Sequence, residues 1–251
     1  MSEVNAHQAK DVVSVWDAVA RRYTRDDYWA GPENRANFEV ILAHSGDPRG
    51  KRIIEVGCGS GFTSVLLAET GAECALLDIS GEALNVARAA FAQAGLAEPR
   101  CYNEDALDNH VPSGAFDVVW NGGVIEHFDD DGKRKLIREM WRMAKPGGVV
   151  VILVPNAWCW PFQWVQAWQK WRGTWPYGFE DDMSPRRLRR MCEHIGLDRT
   201  VTYAFNPILG WRWIPALRRV LKLLRLETLE RHSRRCWMGA VSVLVIEKAK
   251  D

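Results

Sequence analysis

A glycine-rich turn follows an apolar run near the start of this sequence. Residues 53 to 61 read IIEVGCGSG, which places Gly57, Gly59 and Gly61 at alternate positions after a predicted strand. Glycine lets the backbone turn tightly and lets a ligand approach the main chain closely. Asp78 stands 21 residues after Gly57, at the end of the next predicted strand, where a carboxylate can accept hydrogen bonds from a ribose. The pattern predicts a nucleoside-binding site.

The charge around this turn distinguishes between nucleosides. Eleven acidic residues and two basic residues lie between Ile53 and Phe128. A pyrophosphate would be repelled there, and the spacing GxGxG differs from the GxGxxG of dinucleotide sites, so a nicotinamide oxidoreductase is disfavoured. A cationic sulfonium nucleoside, which also carries an ammonium group, would be attracted instead. Tight binding of NAD would revive the oxidoreductase hypothesis.

The elements that must position these residues alternate between strand-like apolar runs and helical patterns, which predicts a parallel sheet with helices on both faces. The predicted strands are Arg52–Val56, Glu73–Ile79, Phe116–Trp120 and Val149–Val154, and the predicted helices between them are Thr63–Thr70, Gly81–Ala94 and Gly132–Met143. Outside this core, the patterns predict helices at Val12–Tyr23, at Asn37–His44 and from Ser184-Pro185 to Gly196, and strands at Arg199–Phe205 and Gly239–Glu247.

Five short motifs follow one another along the chain: EVGCGSG, the acid in LLDIS, the acid in NEDAL, FDVVWNGGVIEHF and KPGG. In this order they resemble the motifs of class I S-adenosylmethionine-dependent methyltransferases. The resemblance extends from Val12 to Val154 and includes the closing strand. It implies a Rossmann-like, doubly wound α/β sheet of seven strands, mostly parallel with an antiparallel last strand, and S-adenosylmethionine as the cofactor.

Carried over position by position, this resemblance implies a cofactor site at the strand ends. Four residues would border the methionine part of the cofactor: Glu55, Gly57, Gly59 and Gly61. The other candidates would contact the ribose (Asp78), the adenine ring (Ile79), the adenine amino group (Asp105 and the backbone of Ala106) and the ammonium group (the carbonyls of Asn121 and Gly122).

The segment Val124–Phe128 follows the fourth strand of the implied sheet, and ligands bind beyond the strand ends in such folds. Its Glu126-His127 pair resembles a short motif of quinone-biosynthesis methyltransferases. Histidine can take the proton of a neutral hydroxyl near physiological pH, so His127 is the candidate catalytic base. The alternative is that His127 only hydrogen-bonds a neighbouring loop. No metal is expected, because Gly123 stands where a further acid would be needed.

The segment from Asn156 to Asp182 is rich in tryptophan and interrupts the alternating pattern. Five tryptophans fall at steps of 4, 4, 3 and 4, which would place them on one face of a helix: Trp160, Trp164, Trp168, Trp171 and Trp175. This face could pack on the protein as a lid. It could also form the wall of a pocket for an aromatic or lipid-like acceptor, and tryptophan favours a membrane interface.

A second segment is basic, with thirteen basic and four acidic residues between Arg186 and Arg235. Apolar residues at helical spacing (Leu217, Val220, Leu221, Leu224) alternate with bases on other faces (Arg218, Arg219, Lys222, Arg225). The pattern predicts a basic amphipathic helix, which either contacts anionic lipid or presents a solvated face. Nucleic acid is not expected, because the net charge is only +1 and no nucleic-acid-binding module is recognised.

The whole chain is predicted to form a single methyltransferase domain over residues 1–251. Its predicted parts are a helical cap (1–50), a cofactor-binding core (51–155), a Trp-rich lid (156–183) and a C-terminal part (184–251) with a basic helical insertion (211–235). Six scattered cysteines without a CxxC pair and a polar N-terminus predict a cytoplasmic protein, with peripheral contact to an anionic membrane as a further hypothesis.

These observations predict an enzyme that transfers a methyl group from S-adenosylmethionine to a hydroxyl or carboxyl of an apolar or aromatic small molecule. Two alternatives stay open: N-methylation of a small amine, and a catalytically silent cofactor-binding interaction protein. The intact glycines and the acids Asp78 and Asp105 argue against decay of the site.

Overall fold

The computed structural model describes residues 3–23, 32–212, 214–224 and 236–250. The chain divides into two compact units. The first comprises Met1–Asn121, Arg138–Val149 and Lys248–Asp251, and the second comprises Gly122–Ile137 and Val150–Glu247. The single domain predicted over residues 1–251, with its cap, core and lid, stays a prediction.

The described residues form a seven-stranded sheet in the order β3-β2-β1-β4-β5-β7-β6. The strands are β1 (Arg52–Val56), β2 (Glu73–Asp78), β3 (Arg100–Asn103), β4 (Phe116–Gly122), β5 (Ala144–Pro155), β6 (Thr200–Phe205) and β7 (Val241–Glu247). β1 pairs in parallel with β2 and β4, β2 pairs in parallel with β3, and β6 pairs antiparallel with β7. The predicted α/β fold class, a mostly parallel Rossmann-like sheet with an antiparallel last strand, is confirmed.

The helices lie where the sequence pattern changes to a period of 3.6. They are α1 (Glu3–Ala20), α2 (Pro32–Ser45), α3 (Phe62–Glu69), α4 (Gly81–Gln93), α5 (Asp130–Met143), α6 (Trp160–Trp171), α7 (Pro185–His194), α8 (Pro207–Arg212) and α9 (Pro215–Leu223). The predicted start of α4 is confirmed, since the Ser80 hydroxyl accepts the Ala83 N–H at 3.0 Å. Ser184 and Pro185 likewise begin α7.

The core of the first unit lies between strand β2 and the two helices that precede and follow it in the chain, α3 and α4. Phe62 and Val65 of α3 pack with Leu84, Ala87 and Phe91 of α4, and all five are nearly inaccessible to solvent. Two aliphatic strands, β1 and β2, lie beneath them with almost every side chain buried. This burial fixes the carboxyl ends of both strands, where the candidate cofactor residues stand.

The second unit has its own apolar core. The inner strand β7 buries Val243, Leu244, Val245 and Ile246, and α7 packs against both β6 and β7. Elsewhere in the same unit, α6 buries Phe162 beside Cys159 and Ala240.

The structure differs from the sequence predictions at several elements. The pattern missed β3, because Arg100–Asn103 is a short edge strand that buries no apolar side chain completely. α1 begins at Glu3 rather than Val12, and β5 begins at Ala144 rather than Val149. The basic insertion predicted at 211–235 forms the end of α8 and all of α9, and residues 225–235, which include Arg225, lie outside the described residues.

Trp175 corrects the predicted tryptophan stripe. The helix α6 ends at Trp171, so only four of the five tryptophans share its face. The Trp175 ring packs edge-on against Phe162, at 6.2 Å between ring centroids, and against Tyr177 at 5.3 Å. Arg172 and Gly173 end the helix before the period of 3.6 can reach Trp175.

Candidate functional site

The glycine-rich turn between β1 and α3 has the backbone that its sequence demands. Gly57, Gly59 and Gly61 have φ angles of 67°, 50° and 66°, a region that side chains disfavour. At Gly61 a Cβ would also lie 2.8 Å from the Cβ of Ala87 on α4. Gly61 therefore allows α3 and α4 to approach each other directly behind the turn.

Asp78 holds this turn in place. It ends β2, its Oδ2 accepts the N–H of Gly59 at 2.9 Å, and its Oδ1 accepts the N–H of Ser80 at 2.9 Å. Burial raises the pKa of Asp78, and the two backbone hydrogen bonds oppose that shift. Each carboxylate oxygen has a second lone pair, so the same group that fixes the turn can also accept from a ribose hydroxyl.

Glu55 is buried inside the first unit rather than at its surface. The Ser64 hydroxyl of α3 donates to its Oε2, and the side chain is only 6% exposed. Burial raises the pKa of Glu55 well above its ordinary value, the Ser64 hydrogen bond opposes that rise, and nearby Asp78 adds to it. Glu55 therefore joins β1 to α3 at the base of the glycine turn.

Two residues that sequence reasoning missed, Asn103 and Asp17, complete this edge of the first unit. Asn103, paired with Asp78 in the β2–β3 register, donates from Nδ2 to the carbonyls of Asp78 and Ile79 at 3.0 Å each. The Ser80 hydroxyl donates to Asp17 of α1 at 2.5 Å. Asn103 was detectable as the first residue of NEDAL, two positions before Asp105, whereas the Asp17 contact spans 63 residues and left no local signal.

The remaining candidates of the first unit lie at neighbouring strand ends. Asp105 is exposed after β3, where its Oδ1 accepts the Leu107 N–H at 2.8 Å in a turn that includes Ala106. Ile79 is half-buried, which leaves part of its side chain for a flat ring.

Asn121, in β4, is fully buried and donates to the Met140 sulfur at 3.4 Å. Its Oδ1 has no hydrogen-bond partner in the described part of the chain.

The donor and acceptor chemistry of these residues fits a cationic sulfonium nucleoside. The segments 55–61, 78–80, 103–106 and 121–122 contain carboxyl and carbonyl acceptors but no Lys or Arg. The unpartnered Asn121 oxygen is an acceptor of the kind that an ammonium group satisfies. Gly122, the last residue of β4 and the first of the second unit, is partly exposed.

His127 of the second unit lies on a single turn of 3₁₀ helix, Ile125–His127. Its Nδ1 is 2.9 Å from the carbonyl oxygen of Phe179. A carbonyl only accepts, so Nδ1 carries the hydrogen, and in the neutral ring the lone pair belongs to Nε2. Burial lowers the pKa of His127, so the ring is neutral at physiological pH.

Three buried carboxyl groups surround this histidine segment: Glu126, Glu180 and Asp182. Burial raises the pKa of all three, and their mutual repulsion adds to the rise for Glu126 and Glu180. The pKa of Glu180 reaches about 7, and its Oε1 is 4.0 Å from Nε2 of His127. Gln166 donates to Glu180 at 2.7 Å and to Asp182 at 3.3 Å. Glu126 Oε2 and Asp182 Oδ1 have no hydrogen-bond partner among the described residues.

A salt-bridge network anchors the loop that carries these acids. Asp181 accepts from the fully buried Lys133 and from Arg187 at 2.6 and 2.7 Å, and its N–H donates to the Glu126 carbonyl at 2.9 Å. These hydrogen bonds, the Arg187 pair foremost, lower the pKa of Asp181 to about 2.

The network fixes residues 179–182, which we call the acidic loop, and with them the Phe179 carbonyl that orients His127. Sequence reasoning missed this loop, although the run Glu180-Asp181-Asp182 was visible.

The two units thus assemble the candidates in two groups. The first unit brings the glycine turn, Glu55, Asp78 and Ile79 together, with Asp105 one strand away. The second unit joins His127 to the acidic loop. No group of three or more His, Cys, Asp or Glu side chains in the described ranges is arranged to hold a metal ion. The expected absence of a metal stays a prediction.

Comparisons with known proteins give one consistent result. Residues 54–152 match a methyltransferase domain family. The chain is 31% identical over 170 residues to a ubiquinone biosynthesis O-methyltransferase of Sodalis glossinidius, covering 62% of this chain and 67% of that protein. It is 33% identical to ajmaline N-methyltransferase of Rauvolfia serpentina, and the match covers 56% of this chain and 54% of that protein. It is also 33% identical to the chloroplastic tocopherol O-methyltransferase of Arabidopsis thaliana, where the match covers 51% of this chain and 36% of that protein.

A solved structure shows the same fold. A methyltransferase of Thermotoga maritima, described as a possible histamine N-methyltransferase, superimposes with a TM-score of 0.67 at 14% identity. The match covers 94% of this chain and 99% of that one. In the curated relatives above, by contrast, the matched region spans between about one third and two thirds of their length.

Proposed function

The chain belongs to the class I S-adenosylmethionine-dependent methyltransferases, and we propose that it methylates a hydroxyl or carboxyl oxygen of an apolar or aromatic small molecule. Membership of this family makes the chain an enzyme with S-adenosylmethionine as its cofactor, which excludes the nicotinamide and catalytically silent alternatives. The observation that carries the proposal is the neutral, partly buried His127, whose Nδ1–H is held by the Phe179 carbonyl.

The candidate cofactor residues have the following roles in this proposal. Asp78 accepts from the ribose, Ile79 packs on the adenine, and Asp105 and Ala106 recognise its amino edge. Glu55 and the three turn glycines border the methionine part, and the Asn121 and Gly122 carbonyls accept from the ammonium group. The cofactor supplies a methyl group on a positively charged sulfur. Hydrogen-bond acceptors of the protein with no basic residues around them suit the positive charge of this sulfur.

His127 removes the proton of the acceptor hydroxyl. Neutral hydroxyls are poor nucleophiles, and burial lowers the pKa of His127, so the ring is present in its neutral, proton-accepting form. The Nδ1–H bond to the Phe179 carbonyl leaves Nε2 as the basic atom. A carboxyl acceptor is already ionised at neutral pH and would depend on His127 far less.

The names of two relatives support an oxygen acceptor. The proteins of Sodalis glossinidius and Arabidopsis thaliana are O-methyltransferases of ubiquinone biosynthesis and of tocopherol. Phenols and prenylated quinones are therefore the first acceptors to test. The cytoplasmic location expected from the sequence stays a prediction.

A second candidate is N-methylation of a small amine. The unpartnered oxygens of Glu126 and Asp182 favour it, because buried carboxyl groups can accept from an ammonium group. The relative from Rauvolfia serpentina is an N-methyltransferase by name. An amine loses its proton to water readily enough to react without a dedicated base, so the two candidates differ in their dependence on His127.

The test is an acceptor panel with methyl-labelled S-adenosylmethionine. Phenols, carboxylates, amines and prenylated quinones are incubated with the wild type and with His127→Gln, and product masses locate the label. We expect the label to appear on phenols or quinols, and we expect this labelling to require His127. Labelling of amines alone, at equal rates in both proteins, would replace the first candidate by the second.

A further inference from the structure

The helix α6 of the second unit turns a row of tryptophans outward. Trp160, Trp164, Trp168 and Trp171 are 50%, 68%, 50% and 82% exposed in the described structure, and we call these four residues the Trp face. The helix meets its own unit with the opposite side, which buries Phe162 and Val165. Half or more of each of these four side chains is therefore exposed although α6 is packed on its unit.

The Trp face continues into two further helices of the same unit. The Trp160 ring packs edge-on against Trp211 of α8, with 4.7 Å between centroids. α8 in turn contacts α9, which exposes Val220 by 46% and Leu223 by 82%, and Leu224 follows at 58%. The result is an apolar surface carried by three neighbouring helices. Large exposed apolar patches commonly mark sites where a protein meets a partner or a membrane.

The charge of these helices has one sign. The sequences of α6, α8 and α9 contain no Asp or Glu and five basic residues: Lys170, Arg212, Arg218, Arg219 and Lys222. Arg172, one residue beyond α6, places its guanidinium 4.8 Å from the Trp168 ring centroid. Arg172 therefore makes a cation–π contact with one of the exposed indoles.

We propose that the Trp face and the exposed residues of α9 dock on the surface of an anionic lipid bilayer. Indole rings prefer the boundary between headgroups and acyl chains, and helices whose sequences carry basic residues and no Asp or Glu complement anionic headgroups. No helix in the described ranges is long and apolar enough to cross a bilayer. The docking that we propose is peripheral. This docking is independent of which atom of the acceptor is methylated.

The experiment uses the full chain with extruded vesicles of phosphatidylcholine alone or with one third phosphatidylglycerol, at low and high salt. The test variant is Trp164→Ser/Trp171→Ser, which changes the two most exposed indoles of the face. The matched control is Val12→Ser/Val15→Ser, which changes two residues of α1 that are 45% and 43% exposed. Circular dichroism and the Kd for S-adenosylmethionine report whether each variant is folded.

We expect wild type and control to sediment with the anionic vesicles at low salt and to be released at high salt. The partition coefficient of the test variant should fall at least about tenfold, and its Kd for the cofactor should be unchanged. Brominated lipids should quench wild-type tryptophan fluorescence more than that of the test variant. Equal partition of all three proteins would overturn the proposal. Dimerisation of the wild type in light scattering, abolished in the test variant and without vesicle binding, would assign the face to a second copy instead.

Discussion

Buried carboxyl groups differ in their hydrogen-bond partners between the glycine turn of the first unit and the acidic loop of the second unit. In the turn, both oxygens of Asp78 accept backbone N–H groups at 2.9 Å. In the loop, one oxygen of Asp182 has no hydrogen-bond partner in the described part of the chain, nor does one oxygen of neighbouring Glu126. Burial raises the pKa of all three carboxyl groups, and the difference lies in their partners: backbone N–H groups hold both oxygens of Asp78, whereas Glu126 and Asp182 each keep one oxygen open to a proton or a ligand group. The first arrangement suits binding and the second suits chemistry.

The largest effect on the turn is expected from Gly61→Val. This change combines a left-handed φ with a Cβ placed 2.8 Å from that of Ala87, so we expect the free energy of unfolding to fall by about 2 to 5 kcal/mol. The matched control is Gly95→Val, which has a similar φ of 69° but nothing within 4 Å of the new Cβ. Denaturant unfolding of both variants measures the difference. Equal losses would show that α3 and α4 do not need this close approach.

The largest effect on the loop is expected from Asp181→Ala, which leaves the fully buried Lys133 without its carboxylate. We expect a loss of about 2 to 4 kcal/mol at pH 7. Because the pKa of Asp181 is lowered to about 2, its contribution is complete above pH 4 and disappears as the pH falls through 2. Thermal unfolding across this range should show wild type and variant converging in acid. A constant difference down to pH 2 would contradict the assignment.

Asp78→Ala tests whether the carboxylate that fixes the turn also binds the cofactor. Loss of a charge-assisted hydrogen bond costs about 1.5 to 3 kcal/mol, so the Kd for S-adenosylmethionine should rise about 10- to 150-fold by calorimetry. Asp105→Ala, at the exposed strand end, should weaken binding less. An unchanged Kd for Asp78→Ala would leave Asp78 with its structural role alone.

The smallest effect is expected from Glu180→Gln in the acidic loop. The pKa of Glu180 is raised to about 7, so its ionisation opposes folding increasingly from the unfolded pKa near 4 up to pH 7. Glutamine can still accept from Gln166 and never ionises. We expect the variant to be more stable than wild type by about 1 to 2 kcal/mol at pH 8 and equal to it at pH 4. A variant less stable at pH 8 would show that the ionised carboxylate is favourable.

The contrast between the two regions also explains what the sequence could predict. The glycine turn, Asp78 and the Ser80 cap are local or lie at strand ends, so their spacing revealed them. His127 was found by its motif, but its partner Phe179 is 52 residues away, and Lys133 is 48 residues from Asp181. Contacts of such separation depend on packing that no spacing rule describes. The helical step of the tryptophans predicted a shared face for four of them. It did not reveal that Phe162 and Val165, on the other side, do the packing.

The pH dependence of methyl transfer in a single turnover tests the central claim, that neutral His127 accepts the proton of a hydroxyl acceptor. With a phenolic acceptor from the panel, the wild-type rate should fall with acid around a midpoint below the ordinary histidine value, because burial lowers the pKa of His127. His127→Ala should lower the plateau about 10²- to 10⁴-fold and abolish that midpoint, while the Kd for S-adenosylmethionine stays the same. An equal plateau and an identical midpoint in both proteins would contradict the account.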